Sequence, residues 1–362
     1  PGTRATISMV QTSRTAAYVY GTENISGRLW RLTFVRDRWV KSSVHIPDHG
    51  TLTPLILDPR STSAFFVFEN FLNPPTLYEV LPGSGDAQTL FKSQAQFAAN
   101  NMLTEQFLVP SADGVPIPYF VVRHRASEAS PSPTLIYAYG GHGSPALPYY
   151  QGVLGRLWLE KGGVFVLANV RGGGEFGPAW HVVGRQREHT YDDLTAVAND
   201  LVKRRITTPR KLAIKGHSAG GLLAAVMITQ HPALFRAAIL EAGYLDQFRP
   251  DLTLAGGEIY GAEFGSTESP EDRAFLERTS PYQNLRKVAG PPVPLIITST
   301  SDTRISPAQS RRFAAKMASL RMPYLFFETQ DGGHALAATP ASQAKLDAME
   351  YVFLAQQLMD DQ

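Results

Sequence analysis

The chain has 362 residues, 34 basic against 32 acidic side chains, a formal charge of +2, 43% hydrophobic residues and no cysteine. Disulfides, thiolate metal sites and cysteine nucleophiles are therefore excluded, and the balanced charge leaves no electrostatic footprint for nucleic acid or an anionic membrane surface. At roughly 150 residues per domain the length predicts two or three domains, and no run approaches the ~18 uninterrupted apolar residues of a membrane span.

The chain opens on Pro1-Gly2-Thr3-Arg4, without an initiator methionine or the basic and apolar regions of a signal peptide. It reads as beginning partway through a longer protein, so an upstream leader, and with it periplasm or cytoplasm, is left undecided. Over residues 1–104, short runs rich in Val, Phe, Tyr and Leu alternate with turn-forming clusters, the pattern of antiparallel strands. Two runs recur at one offset: Tyr18-Val19-Tyr20 matches Phe66-Val67-Phe68, and Leu29-Trp30-Arg31-Leu32 matches Leu77-Tyr78-Glu79-Val80, each 48 residues on. That spacing predicts two four-stranded β-propeller blades, with a plain meander as the alternative. Two blades cannot close a propeller, so the remaining blades are expected on sequence absent here.

From Glu105 the rhythm changes, and 105–362 is predicted to be one α/β domain. Gln106–Val109 and Ile117–Val122 flank Asp113-Gly114 as a hairpin. Continuous apolar runs follow at 134–139, 164–170, 212–215, 295–299 and 324–328, suited to strands buried on both faces. Helical patterns at 192–204, 221–230, 307–320 and 341–359 alternate with them, predicting a mostly parallel sheet with helices on both faces.

A serine hydroxyl becomes a nucleophile only when a base removes its proton and a third group orients that base. Gly216-His217-Ser218-Ala219-Gly220 matches the Gly-x-Ser-x-Gly turn, and its setting is the required one: a strand before it and a helix start at Gly221 after it. Asp302 follows the run 295–299, at the strand end where catalytic groups gather in open α/β sheets. An Asp there can also cap the next helix. His334 follows the last strand, in Asp331-Gly332-Gly333-His334, and the order Ser, Asp, His is that of α/β hydrolases. His142, His181, His189 and His217 all precede the serine and compete less well. The oxyanion is expected to meet the Ala219 backbone N–H and a donor from the glycine-rich loop Tyr139-Gly140-Gly141-His142-Gly143.

With these residues the sequence resembles the prolyl oligopeptidase family of serine peptidases. The matching segments run in the family's order: Ser111–Gly114, Tyr137–Gly141, Asn169–Gly177, Gly216–Gly221, Ser280–Asn284, Ser301–Arg304 and Gly333-His334. The resemblance implies an α/β-hydrolase domain, a β-propeller that screens for peptides, and an N-terminal half of the same protein as partner. It implies that Tyr139 donates its hydroxyl to the oxyanion, that Arg304 binds a substrate carbonyl or carboxylate (the plainer role being a surface arginine serving a loop), and that Arg171–Gly177 is a structural loop. No metal or organic cofactor is implied.

Three departures bear on specificity. His142 stands where proline-specific members carry an aromatic residue, Gly256 where their proline-stacking tryptophan would fall, and Ala219 where they usually have asparagine. Without an aromatic wall, stacking on proline is lost. His142 and Gly256 are therefore expected to line a pocket not built for proline. These departures, and the 32 residues between Asp302 and His334, resemble the lasso peptide isopeptidases, which open a macrolactam. A general oligopeptidase is the alternative. A non-catalytic propeller binding module is the rival of another class, and a small-ester hydrolase fits the blades poorly.

Overall fold

The computed structural model describes residues 4–82, 85–253 and 257–359. Among these, no helix is long and apolar enough to cross a membrane. The chain divides into two compact units, the first comprising 1–104, 147–160 and 175–179, the second 105–146, 161–174 and 180–362.

In the first unit, β1 (Ala5–Thr12), β2 (Ala17–Glu23), β3 (Ser26–Val35) and β4 (Arg38–Ser43) form one antiparallel sheet in sequence order. A second such sheet is made by β5 (Gly50–Pro54), β6 (Ala64–Asn70), β7 (Thr76–Val80) and β8 (Ala87–Lys92). The offset in the sequence has a structural counterpart, since Tyr18 and Tyr20 lie on β2 and Phe66 and Phe68 on β6, the second strand of each sheet. Side chains alternate across a strand, so each pair points to one face. All four are buried in one apolar core with Leu29, Val44, Leu57 and Val80. The short helix α1 (Gly152–Leu157) and its flanks join this unit: Thr51 Oγ1 donates to Pro148 O at 2.6 Å, and the Tyr150 ring stacks on Phe97 at 5.3 Å.

The second unit is built on eight strands: β9 (Met102–Pro110), β10 (Pro116–His124), β11 (Thr134–Ala138), β12 (Val164–Ala168), β13 (Leu212–His217), β14 (Ala237–Glu241), β15 (Val293–Ser299) and β16 (Leu325–Thr329). They lie in the order β16-β15-β14-β13-β11-β12-β10-β9. From β12 to β16 all pairing is parallel, and β10 joins β12 antiparallel. Its helices are α2 (Glu188–Lys203), α3 (Ala219–Gln230), α4 (Gly257–Phe264), α5 (Pro270–Thr279), α6 (Pro281–Asn284), α7 (Ala308–Ser319) and α8 (Pro340–Leu358). The central strands are apolar and buried along their length, β12 and β14 completely, as strands covered on both faces must be. This is the α/β-hydrolase arrangement. Every predicted strand and long helix of this unit is present. The sequence reading passed over β14 and the shorter helices α4, α5 and α6.

Strand order sets the site. β11 lies between β12 and β13, so the connection from β11 to β12 steps one way across the sheet and that from β12 to β13 steps back past β11, which opens a crevice at the strand ends. The loops after β11 and β13 carry Tyr139 and Ser218.

Candidate active site

Ser218 sits between the end of β13 and the first turn of α3 with φ 57° and ψ −115°, a positive φ that a non-glycine residue rarely adopts. Such a backbone costs on the order of 1–3 kcal/mol and persists only where its surroundings impose it. Here its N–H donates to Glu241 O at 2.8 Å and its carbonyl accepts from Leu222 N at 3.1 Å. The flanking glycines are sterically required. A Cβ on Gly216 would lie 1.9 Å from Gly220 O, and one on Gly220 2.5 Å from Ala138 O.

The structure brings together the three residues the sequence singled out. His334 Nε2 lies 2.9 Å from Ser218 Oγ, and His334 Nδ1 2.8 Å from Asp302 Oδ2. A carboxylate can only accept, so Nδ1 carries the proton and Nε2 faces the serine hydroxyl as acceptor. Asp302 is 2% exposed. Burial pushes its carboxyl up, but hydrogen bonds from His334 and from the Arg304 and Ile305 N–H groups, at 2.8 and 3.0 Å, outweigh it and hold the group below its ordinary value. The loops bearing the two residues are stitched together, Gly333 N donating to Ser301 Oγ at 3.1 Å and Ser299 Oγ to Asp331 O at 3.1 Å.

Tyr139 stands beside them. Burial raises its phenol first, the Glu263 charge next, while the Ser218 hydroxyl and the cations of Arg304 and Arg187 act in the opposite sense. Ala219 opens α3, where the first N–H groups have no partner within the helix. Arg304 is exposed, and its charge reaches Tyr139, His142 and Tyr260. His142 has φ 55° and its ring meets Phe264 edge-on at 5.4 Å. Gly256 lies outside the described residues.

The expectation of a missing aromatic wall rests on Gly256 and so falls outside the described residues. Helix α4 brings Tyr260 into a group with Tyr244 (ring centroids 5.4 Å apart), Phe264 (5.9 Å) and His142 (6.3 Å). Burial raises the Tyr260 phenol first, and the charges of Asp302 and Tyr139 add to the effect.

The sequence reading missed a brace behind the Tyr139 loop. Glu263 Oε1 accepts the His142 N–H at 2.7 Å and Arg187 Nη1 at 3.1 Å, while Oε2 lies 2.8 Å from His181 Nε2. Arg187, fully buried, donates through Nη2 to Gly140 O at 2.8 Å. Backbone on both sides of Gly141 is thus tied to one buried ion pair. The neighbouring loop interlocks with it: Gly172 has φ 99°, and a Cβ there would lie 2.4 Å from Gly140 O. Arg171 is pinned in that loop by Asp193 and Asp113. No local pattern links residues 140, 187 and 263, so only the fold could expose the brace.

Residues 154–361 match the prolyl oligopeptidase family, peptidase S9. Among curated relatives, an uncharacterized peptidase (y4nA) of Sinorhizobium fredii is 37% identical over 93% of this chain and 47% of its own length. A prolyl endopeptidase of Elizabethkingia miricola is 30% identical over 80% of this chain and 42% of its own. The solved structure of a post-proline cleaving enzyme from Rickettsia typhi superposes with a TM-score of 0.90 at 31% identity, covering 99% of this chain and 52% of that one. The chain thus spans about half the length of the relatives it matches. With 208 residues matched in one stretch (154 to 361) out of 362, and with fold and relatives agreeing, this chain belongs to the prolyl oligopeptidase family.

Proposed function

We propose that the chain is the catalytic part of a serine peptidase that hydrolyses peptide amide bonds through an acyl-enzyme on Ser218. The observation that carries this reading is the unbroken hydrogen-bonded line from Ser218 Oγ through His334 to the buried Asp302, set on a strained strand-to-helix turn. His334 Nε2 takes the Ser218 proton as Oγ attacks the carbonyl carbon. The tetrahedral oxyanion is met by the Ala219 N–H and the Tyr139 hydroxyl. His334 then passes its proton to the departing amine, and water repeats the sequence on the ester to free the acid and Ser218. Asp302 keeps its charge throughout, fixing the His334 tautomer and stabilising the imidazolium. Arg304 is the cation for a substrate carbonyl or carboxylate.

The two four-stranded sheets are read as successive propeller blades, the rest belonging to an N-terminal half that this chain lacks. That half is the expected partner, and a peptide short enough to pass the propeller the expected substrate. Tyr260 with Phe264 favours an oligopeptidase that accepts an apolar residue, proline included, before the cleaved bond. Opening of a lasso macrolactam is the second reading, resting on His142 and on the short segment from Asp302 to His334.

The test is the protein incubated separately with proline-containing oligopeptides and with a threaded lasso peptide, read by mass spectrometry, alongside fluorophosphonate labelling of wild type and Ser218→Ala. Cleavage of the linear peptides with labelling only of wild type is expected. Gain of one water by the lasso peptide alone would move the assignment to an isopeptidase. No labelling of wild type would return the chain to a binding module.

A further inference from the structure

Lys215, Glu241 and Glu350 form a charged cluster behind the nucleophile, and the mechanism above uses none of them. Lys215 lies on β13, three residues before Ser218. Glu241 ends β14, paired in register with His217. Glu350 lies on the buried stripe of α8 with Leu346, Phe353 and Leu354. The three side chains are 22%, 11% and 3% exposed. Lys215 Nζ touches Glu350 Oε2 directly and lies 3.4 Å from Glu241 Oε1. The Glu241 carbonyl is the same group that accepts the Ser218 N–H at 2.8 Å.

We propose that Lys215, Glu241 and Glu350 are positioning residues that clamp α8, the helix following the His334 loop, to the end of β14, and so hold the Glu241 carbonyl that keeps Ser218 in its strained backbone. The inference rests on the reading of Ser218 as nucleophile. Its physical basis is that nothing local makes φ 57° favourable for serine, so the restraint must come from fixed neighbours. A buried ion cluster, weak as a source of net stability, is suited to fixing geometry.

Lys215 faces both carboxyl groups, and one ammonium balances only one carboxylate. Burial, then the Glu241 charge, pushes Glu350 up to about 8. Burial alone would discharge Lys215, but Glu241 and Glu350 outweigh it and raise the group above its ordinary value. The other titratable groups facing the cluster are His217, pushed down to about 4 by burial, His334 and Lys215, together with Asp347 and Tyr351 on α8. Below about pH 8 the cluster holds one anion against one cation. Above it Glu350 loses its proton, a second buried anion appears beside Glu241, and the clamp opens.

The readout is the second-order rate of fluorophosphonate labelling, which reports serine reactivity without peptide binding, followed from about pH 6 to about pH 10. Glu350→Ala and Lys215→Met are expected to label at least about tenfold more slowly than wild type at pH 7, with circular dichroism unchanged. Glu350→Gln keeps the shape of the side chain and an oxygen for Lys215 but cannot ionise. It is expected to label within about threefold of wild type at pH 7 and to hold that rate at pH 9, where wild type has dropped about tenfold. Should the first two variants fail to fold, the Glu350→Gln profile decides alone. The clamp is overturned if Glu350→Gln follows the wild-type alkaline limb, or if folded Glu350→Ala labels at the wild-type rate. A wild type that does not label overturns the nucleophile reading, and the clamp with it.

Discussion

The apolar core between the two small sheets of the first unit and the core of the second unit treat charge in opposite ways. In the first, the outer strands β4 and β8 are exposed almost throughout, and the core around Tyr20 and Phe66 is apolar. The second buries Arg187, Asp193, Glu241, Glu263, Asp302 and Glu350. Taking an ion out of water costs several kcal/mol even after relaxation, and a well-packed apolar side chain would often be more stabilising. The buried ions therefore have to be explained by where they lie. Glu263 and Arg187 hold the backbone of the Tyr139 loop, Asp302 holds His334, and Glu241 with Glu350 stands behind Ser218. One unit spends its core on cohesion, the other on geometry.

The largest effect is expected at Asp302. Asp302→Asn leaves the shape of the site but no longer fixes the His334 tautomer, and kcat is expected to fall about 10⁴-fold, measured by burst and steady-state kinetics on a chromogenic peptide. Because the carboxyl is held below its ordinary value, its contribution to stability is present above the ordinary carboxylate range. It is lost only as pH falls through the lowered value, so acid unfolding of wild type is expected to set in below that range. The first unit answers to a different measurement. Phe66→Ala empties a fully buried site and is expected to cost about 3–5 kcal/mol in urea unfolding. A cost under about 1 kcal/mol would mean that this core is not packed as described.

How much of this the sequence disclosed follows from where each signal resides. Ser218, Asp302 and His334 were legible because each stands just past an apolar strand, in an order that α/β hydrolases share. The paired runs at 18–20 and 66–68 were legible because burial of alternate aromatic residues leaves a period-two imprint. Strand β14 was not. Ala237-Ala238-Ile239-Leu240-Glu241 has one β-branched residue and no aromatic one, and alone it suits a helix as well as a strand. Pairing on both sides by β13 and β15 decides it. Helix α4 begins on a glycine and carries another at Gly261, so its sequence reads as a loop. The Glu263–Arg187 pair spans 76 residues and has no local signature. It is a property of the fold.

That pair also yields the finest tests of the comparison. Tyr139→Phe removes the proposed oxyanion donor while leaving the ring, and kcat is expected to fall about 10²–10³-fold with little change in KM. Glu263→Gln is the smaller and more telling change. Glutamine still offers Oε1 to the His142 N–H, so the loop keeps its hydrogen bond, but Arg187 loses its counter-charge and is freer to release Gly140 O. An expected fall of about tenfold in kcat, with KM nearly constant, marks an interaction made in the transition state and absent from ground-state binding. If the brace acts by aiming the Tyr139 hydroxyl, the two changes cannot be additive. In the Tyr139→Phe background, Glu263→Gln should cost less than about twofold, since the group being aimed is already gone. A full tenfold loss in that background would detach Glu263 from the oxyanion loop and leave it as a buried ion kept for stability alone.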